Sequence, residues 1–213
     1  MKPFLPIALL TLLSFSALAQ QDPEHAVAES QGHSGSFTRG TKILSFGFGF
    51  PNLYRISYET PAGYTHIKNT GFGPLYAKFE WALIDNLGIA PSFSYGTFHH
   101  SYYGWAYYPG GAEKVMYSDD VNITSFGLSV NYHFADLLPN PRLDFYLGAG
   151  AAFNLLRYRY GNIAPYKEPE LKTQLRPIGR AGLRFQFDPT LNLFTEVGYD
   201  GYSVMQLGLG VRF

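Results

Sequence analysis

The chain contains no cysteine. Disulfides, thiolate metal centres, catalytic thiols and a lipid anchor on an N-terminal cysteine are excluded together. Charge is scarce: Asp, Glu, Lys and Arg make up 15% of the residues, against about 25% in soluble domains. The 16 basic and 16 acidic side chains cancel, so no net field points to nucleic acid or to an electrostatic membrane anchor. No apolar run reaches the roughly 20 residues that a spanning helix requires. What is abundant is aromatic and small: 17 Tyr, 18 Phe and 23 Gly in 213 residues. A single domain of that balance in water lacks the polar groups to cover itself, whereas a barrel in lipid needs an apolar outer wall and aromatic rims.

Met1 to Gln20 has the parts of a secretory signal. Lys2 gives the positive start, Ile7 to Phe15 the short apolar run, and Ala17-Leu18-Ala19 the small-residue cleavage site. The expected division is a signal peptide over 1–19, a disordered polar leader over 20–39 and a β-barrel over 40–213. His25 and His33 lie in the leader and read as solvated rather than metal-bound.

From Gly40 onward the dominant period is two. Eight runs approach the length of a tilted membrane strand, at 41–50, 72–84, 88–98, 121–134, 142–154, 172–187, 191–199 and 203–213. In the last run Met205, Leu207, Leu209, Val211 and Phe213 share one face, and Gln206, Gly208, Gly210 and Arg212 the other. In the fourth run Phe126, Leu128, Val130, Tyr132 and Phe134 oppose Ser125, Gly127, Ser129, Asn131 and His133. A soluble sandwich would carry Lys, Glu and Thr on its polar face. Here that face is Gly, Ser and Ala with isolated charges, which suits a crowded interior. Short links at 85–87, 135–141 and 188–190 alternate with long segments at 51–71, 99–120 and 155–171, expected to be loops on the outer side; the last hairpin, around Asp200-Gly201-Tyr202, is a short exception. The three-residue links pair Ile84 with Gly88, both inward, and Phe187 with Leu191, both outward. The fold expected is all-β, an eight-stranded antiparallel up-and-down transmembrane β-barrel.

Two stretches carry a resemblance. The closing strand Leu207-Gly208-Leu209-Gly210-Val211-Arg212-Phe213 and the glycine-alternating strand Leu147-Gly148-Ala149-Gly150-Ala151-Ala152-Phe153-Asn154 resemble those of the small outer-membrane β-barrel proteins, the OmpA/OmpX-like and porin-like group of Gram-negative bacteria. The resemblance covers Gly40 to Phe213. It implies an outer-membrane location after export, contact with outer-membrane lipid, and recognition of the terminal aromatic Phe213 by the barrel-insertion machinery.

Parity sends Lys78, Glu80, Asp144, Arg180, Arg184, Glu196 and Arg212 inward. Pairing Phe187 with Leu191 sets Glu196 opposite Gly182, with Arg180 and Arg184 on its diagonals. Unpaired charges in a narrow bore are costly, so a mutually neutralising plug is expected, with a pore's selectivity ring as the alternative. Tyr102, Tyr103, Trp105, Tyr107 and Tyr108 form an aromatic surface on a supposed loop, suited to the membrane boundary or to an extracellular partner. His99-His100-Ser101 offers a base beside a nucleophile, but no acidic partner is evident; Glu59 and Glu113 fall in long segments. No fixed spacing makes His66, His99 and His100 a metal site. Gly148-Ala149-Gly150 lacks the helix that a phosphate loop needs, and Asn122-Ile123-Thr124 lies on a strand. The expected function is a non-enzymatic barrel, without cofactor or metal, serving envelope integrity or adhesion. The alternatives are a small pore, a lipid-modifying enzyme on His99 and Ser101, and a soluble lipocalin-type barrel.

Overall fold

The computed structural model describes residues 37–56, 65–134, 138, 140–161 and 169–213, with the backbone alone at 66 and 67. The expected signal peptide, most of the leader, Glu59 and the His66 side chain lie outside the described residues.

Eight antiparallel strands close into a barrel in chain order. They are β1 Lys42–Phe50, β2 Thr65–Ile84, β3 Leu87–Tyr108, β4 Gly111–His133, β5 Leu143–Gly161, β6 Glu170–Gln186, β7 Leu191–Tyr199 and β8 Met205–Arg212. Closure comes from β1 on β8, where Gly47 faces Gly208 and Phe46 faces Leu209. The last residue completes the seam: Phe213 and Lys42 exchange backbone hydrogen bonds of 3.0 and 3.2 Å. A single helical turn, α1 Leu53–Ile56, follows β1.

The wall is inside out over its lower half. Leu207, Leu209, Val211, Phe126, Leu128, Val130 and Leu147 are all exposed, while Gln206, Ser129, Asn131 and Arg180 are buried. An apolar belt that encircles the ring exceeds by far what a soluble monomer exposes. Lipid is the solvent that such a wall requires, and the closed ring leaves no strand edge unpaired within it.

Strand lengths are unequal. β1, β7 and β8 have 9, 9 and 8 residues, near the length a tilted strand needs to cross the hydrocarbon. β3 and β4 have 22 and 23 and meet at a tight turn, Pro109-Gly110. The segment 99–120, expected as a loop, is therefore a regular hairpin standing beyond the lipid. β2, β5 and β6 are likewise long, at 20, 19 and 17 residues, so β2 starts within the supposed loop 51–71 and β5 and β6 absorb much of 155–171. The molecule has a turn end, with both described termini, and a hairpin end.

One turn also departs from expectation. Asp85-Asn86 makes a two-residue turn, with Asn86 at φ 64°, a region that asparagine tolerates. Ile84 pairs with Leu87 and Ala82 with Gly88, so Leu83 is an extra residue on its strand. Ile84 is consequently exposed on the outer wall rather than inward. The link at 188–190 has the expected length: Phe187 and Leu191 are hydrogen-bonded neighbours, both exposed.

Candidate functional site

The narrow bore is packed with side chains in four tiers. At the turn end Phe37, Ile43 and Ala82 form a buried apolar cluster. Phe37 belongs to the segment expected as disordered leader, so that boundary falls too late: the chain enters the turn end and seals it. Asn86 donates its backbone N–H to the Phe37 carbonyl (2.9 Å), and Arg39 donates its own to Asp85 Oδ1 (2.8 Å). The Phe37 ring lies flat on His133, centroid to centroid 3.7 Å. Phe37→Ala should cost about 1.5–3 kcal/mol, the loss of one buried aromatic, measured by denaturant unfolding in detergent; a cost near zero means that the segment does not cap the bore.

The second tier is an ion-pair cluster around Glu80 and Asp144. Arg184 spans both, with Nη2 2.7 Å from Glu80 and Nη1 3.1 Å from Asp144. His133, fully buried, sits between the same two carboxylates, with Nε2 3.0 Å from Glu80 and Nδ1 2.8 Å from Asp144. Asn131 Nδ2 donates to Glu80 at 2.5 Å. With both ring nitrogens turned to carboxylate oxygens, His133 donates twice, so the pair of acids faces the pair Arg184 and His133.

The third tier centres on Glu196. Lys78 donates to Glu196 Oε2, Arg180 Nη1 lies 3.4 Å from the same oxygen, and Tyr146 donates to Oε1 at 2.6 Å. Arg180 also donates to Ser129 Oγ. Gly182, across from Glu196, leaves the room that the Tyr146 ring occupies; a Cβ there would collide with it. A 10 Å³ cavity borders Arg180, Glu196, Asp200 and Gln206, about the size of one water.

The fourth tier is apolar again. Phe98, Val121, Ile123, Leu156 and Tyr202 form a buried cluster at the hairpin end, with Tyr54 of α1 and Tyr158 packed on it. Burial raises the Tyr202 hydroxyl pKa, and that of Tyr54 more weakly. The charges are thus enclosed between two hydrophobic layers.

Six of the seven charges assigned to the lumen, Lys78, Glu80, Asp144, Arg180, Arg184 and Glu196, are in these two clusters, each below 9% exposed. Arg212 is not in either: partly buried at the turn end, it donates to Thr41 Oγ1 at 3.4 Å. Arg184 stands diagonal to Glu196 as expected but does not bond it, turning instead to Glu80 and Asp144. The sequence reading puts Ser129, Asn131 and His133 on the inward face of their strand without joining them to the charges, and it does not single out Tyr146 or Phe37. His133 and Asn131 sit on the inward parity of β4, which was the available signal.

The five aromatics lie on β3 rather than on a loop, and parity divides them. Tyr102 is buried, stacked with Tyr117 at 5.7 Å. Tyr103, Trp105, Tyr107 and Tyr108 are exposed. His99 does find an acid that the sequence did not reveal: Asp120 is its cross-strand partner, with Oδ1 2.6 Å from Nδ1. Ser101 has no side-chain hydrogen bond to either residue, so no relay is assembled. His100 is turned inward, on Asn69 Oδ1. Phe213 is exposed on the wall, its ring 6.3 Å from Phe79.

The fold has solved counterparts. The outer-membrane protein OprG of Pseudomonas aeruginosa matches over 83% of this chain and 97% of its own, with a TM-score of 0.53 and 12% identity. The chain has the fold of the small outer-membrane β-barrels. Ail of Yersinia pestis, the attachment invasion locus protein, matches over 83% of this chain and all of its own, at a TM-score of 0.46 and 16% identity. At such identities the likeness is one of fold. No family model and no curated protein sequence matches the chain.

Proposed function

We propose that this protein is a non-conducting, non-enzymatic barrel of a bacterial outer membrane, whose work is done by its tall hairpin end in envelope architecture or surface contact. Export by the Met1 to Ala19 signal, insertion aided by the terminal Phe213, and an orientation with the short turns in the periplasm complete the reading. The observation that carries it is the sealed bore. A conduit needs a continuous water path, and here the ionic tiers are closed by Phe37, Ile43 and Ala82 below and by Phe98, Ile123 and Leu156 above. The strands that outgrow the membrane, β2 to β6, are regular and carry exposed Trp105 and Tyr107, a platform suited to an extracellular partner.

In planar bilayers the purified protein should give no reproducible channel events over a voltage range in which a porin control conducts. Discrete conductance steps from the wild type would refute the sealed reading and restore the pore.

A further inference from the structure

The outer wall of the long strands is banded. Outward positions on β3 run Phe93 and Tyr95, then Thr97, His99 and Ser101, then Tyr103, Trp105 and Tyr107. Apolar residues give way to a polar band and then to aromatics. Cross-strand register extends the polar band sideways: Lys68 lies beside Ser101, Asp120 between His99 and Arg159, and Asn122 between Thr97 and Arg157. The band spans the four strands β2 to β5, about 14 Å.

Its charge is one-sided. Lys68, Arg157 and Arg159 are exposed and make no ion pair or hydrogen bond among the described residues, whereas the single outward acid of the band, Asp120, is held by His99 at 2.6 Å. Free guanidinium groups directly above lipid-facing wall are donors for phosphate, which they bind in bidentate fashion. The tier above supplies stacking faces, with Lys114 lying 5.4 Å over the Tyr103 ring and Trp105 next to it in the array. Acyl chains below, anionic groups at the band and a sugar-sized aromatic tier above fit one class of molecule.

We propose that the β2–β5 face binds a phosphorylated glycolipid of the outer leaflet, with Arg157, Arg159 and Lys68 on its phosphates, its acyl chains on the wall beneath and its sugars against Tyr103 and Trp105. The proposal rests on the barrel standing in an outer membrane with its hairpins outward.

The test is native mass spectrometry of the full mature chain in detergent, titrated with bis-phosphorylated lipid A, with the same lipid A dephosphorylated, and with phosphatidylglycerol. One bis-phosphorylated lipid A should be retained per barrel, at least about tenfold more tightly than either other lipid. The variant Arg157→Gln/Arg159→Gln should lose at least about tenfold in that affinity, while Arg142→Gln at the turn end should lose nothing. Equal retention of dephosphorylated lipid A, equal retention of phosphatidylglycerol, or an unaffected double variant would each overturn the site. Vesicle insertion is scored separately for every variant. A wild type that fails to insert defeats the membrane reading itself, and variants that insert but bind lipid A like the wild type defeat only this inference.

Discussion

Glu80→Ala should destabilise the barrel by about 3–5 kcal/mol, the cost of stranding buried charge. Glu80 accepts from Arg184, His133 and Asn131. Its removal leaves Arg184 with Asp144 alone and His133 Nε2 without its carboxylate, in a compartment closed above and below by hydrocarbon. Arg184→Ala should cost a similar amount. The double variant should cost clearly less than the sum of the two, because each single change abandons a partner that the second removes. A control isolates burial from charge: Glu170 pairs with Lys172 at 3.4 Å with both side chains nearly half exposed, so Glu170→Ala should cost no more than about 1 kcal/mol. Urea unfolding in detergent, followed by tryptophan fluorescence, measures all four. A Glu80→Ala cost as small as that of Glu170→Ala would mean that water enters the bore.

The membrane-embedded half was legible in the sequence and the hairpin half was not, for one physical reason. Between lipid and a crowded bore, every outward position must be apolar and every inward one small or polar, so the two-residue period has strong contrast. On β8 that contrast separates Leu207, Leu209 and Val211 from Gln206 and Arg212. Beyond the lipid the outer solvent becomes water and the pattern changes phase. Phe98, Val121, Ile123 and Leu156 are now the inward residues, and His99, Asp120 and Asn122 the outward ones. A search for apolar-outward parity stops where that inversion begins, at 98 on β3 and at 121 on β4, although the strands run on without a break in register. Regular backbone was hidden by a change of solvent.

The bore was legible as a set and not as a geometry. Parity assigns a side chain to the interior, and the 188–190 link sets Glu196 against Gly182, as the pairing of β6 with β7 shows. Parity does not say which way a long side chain leans along the axis. Arg180 and Arg184 are both diagonal to Glu196, yet only Arg180 bonds it, because Glu80 and Asp144 offer Arg184 two carboxylates at the turn end. Phe37 escaped because it precedes the first strand. Its place is fixed by His133, a contact distant in sequence.

Leu209→Arg should cost about 2–4 kcal/mol, the penalty for arginine near the midplane of a bilayer. Leu209 lies mid-strand between Phe46 and Leu193 and is 60% exposed. Leu171, outward on β6 opposite Arg157, is 61% exposed. The two leucines present nearly equal surface, and they differ in height along the barrel. If the ring stood in water, both substitutions would fall within about 0.5 kcal/mol of neutral. In lipid only Leu209→Arg bears the transfer of a guanidinium into hydrocarbon, while Leu171→Arg stands beyond the belt beside Arg157 and remains near neutral. Reversible unfolding from lipid vesicles gives both values. The difference between them, rather than either alone, reports the solvent of the wall, since fold and exposure are held constant. Equal and small effects would turn the barrel into a soluble one and remove the lipid contact on which the banded outer face depends.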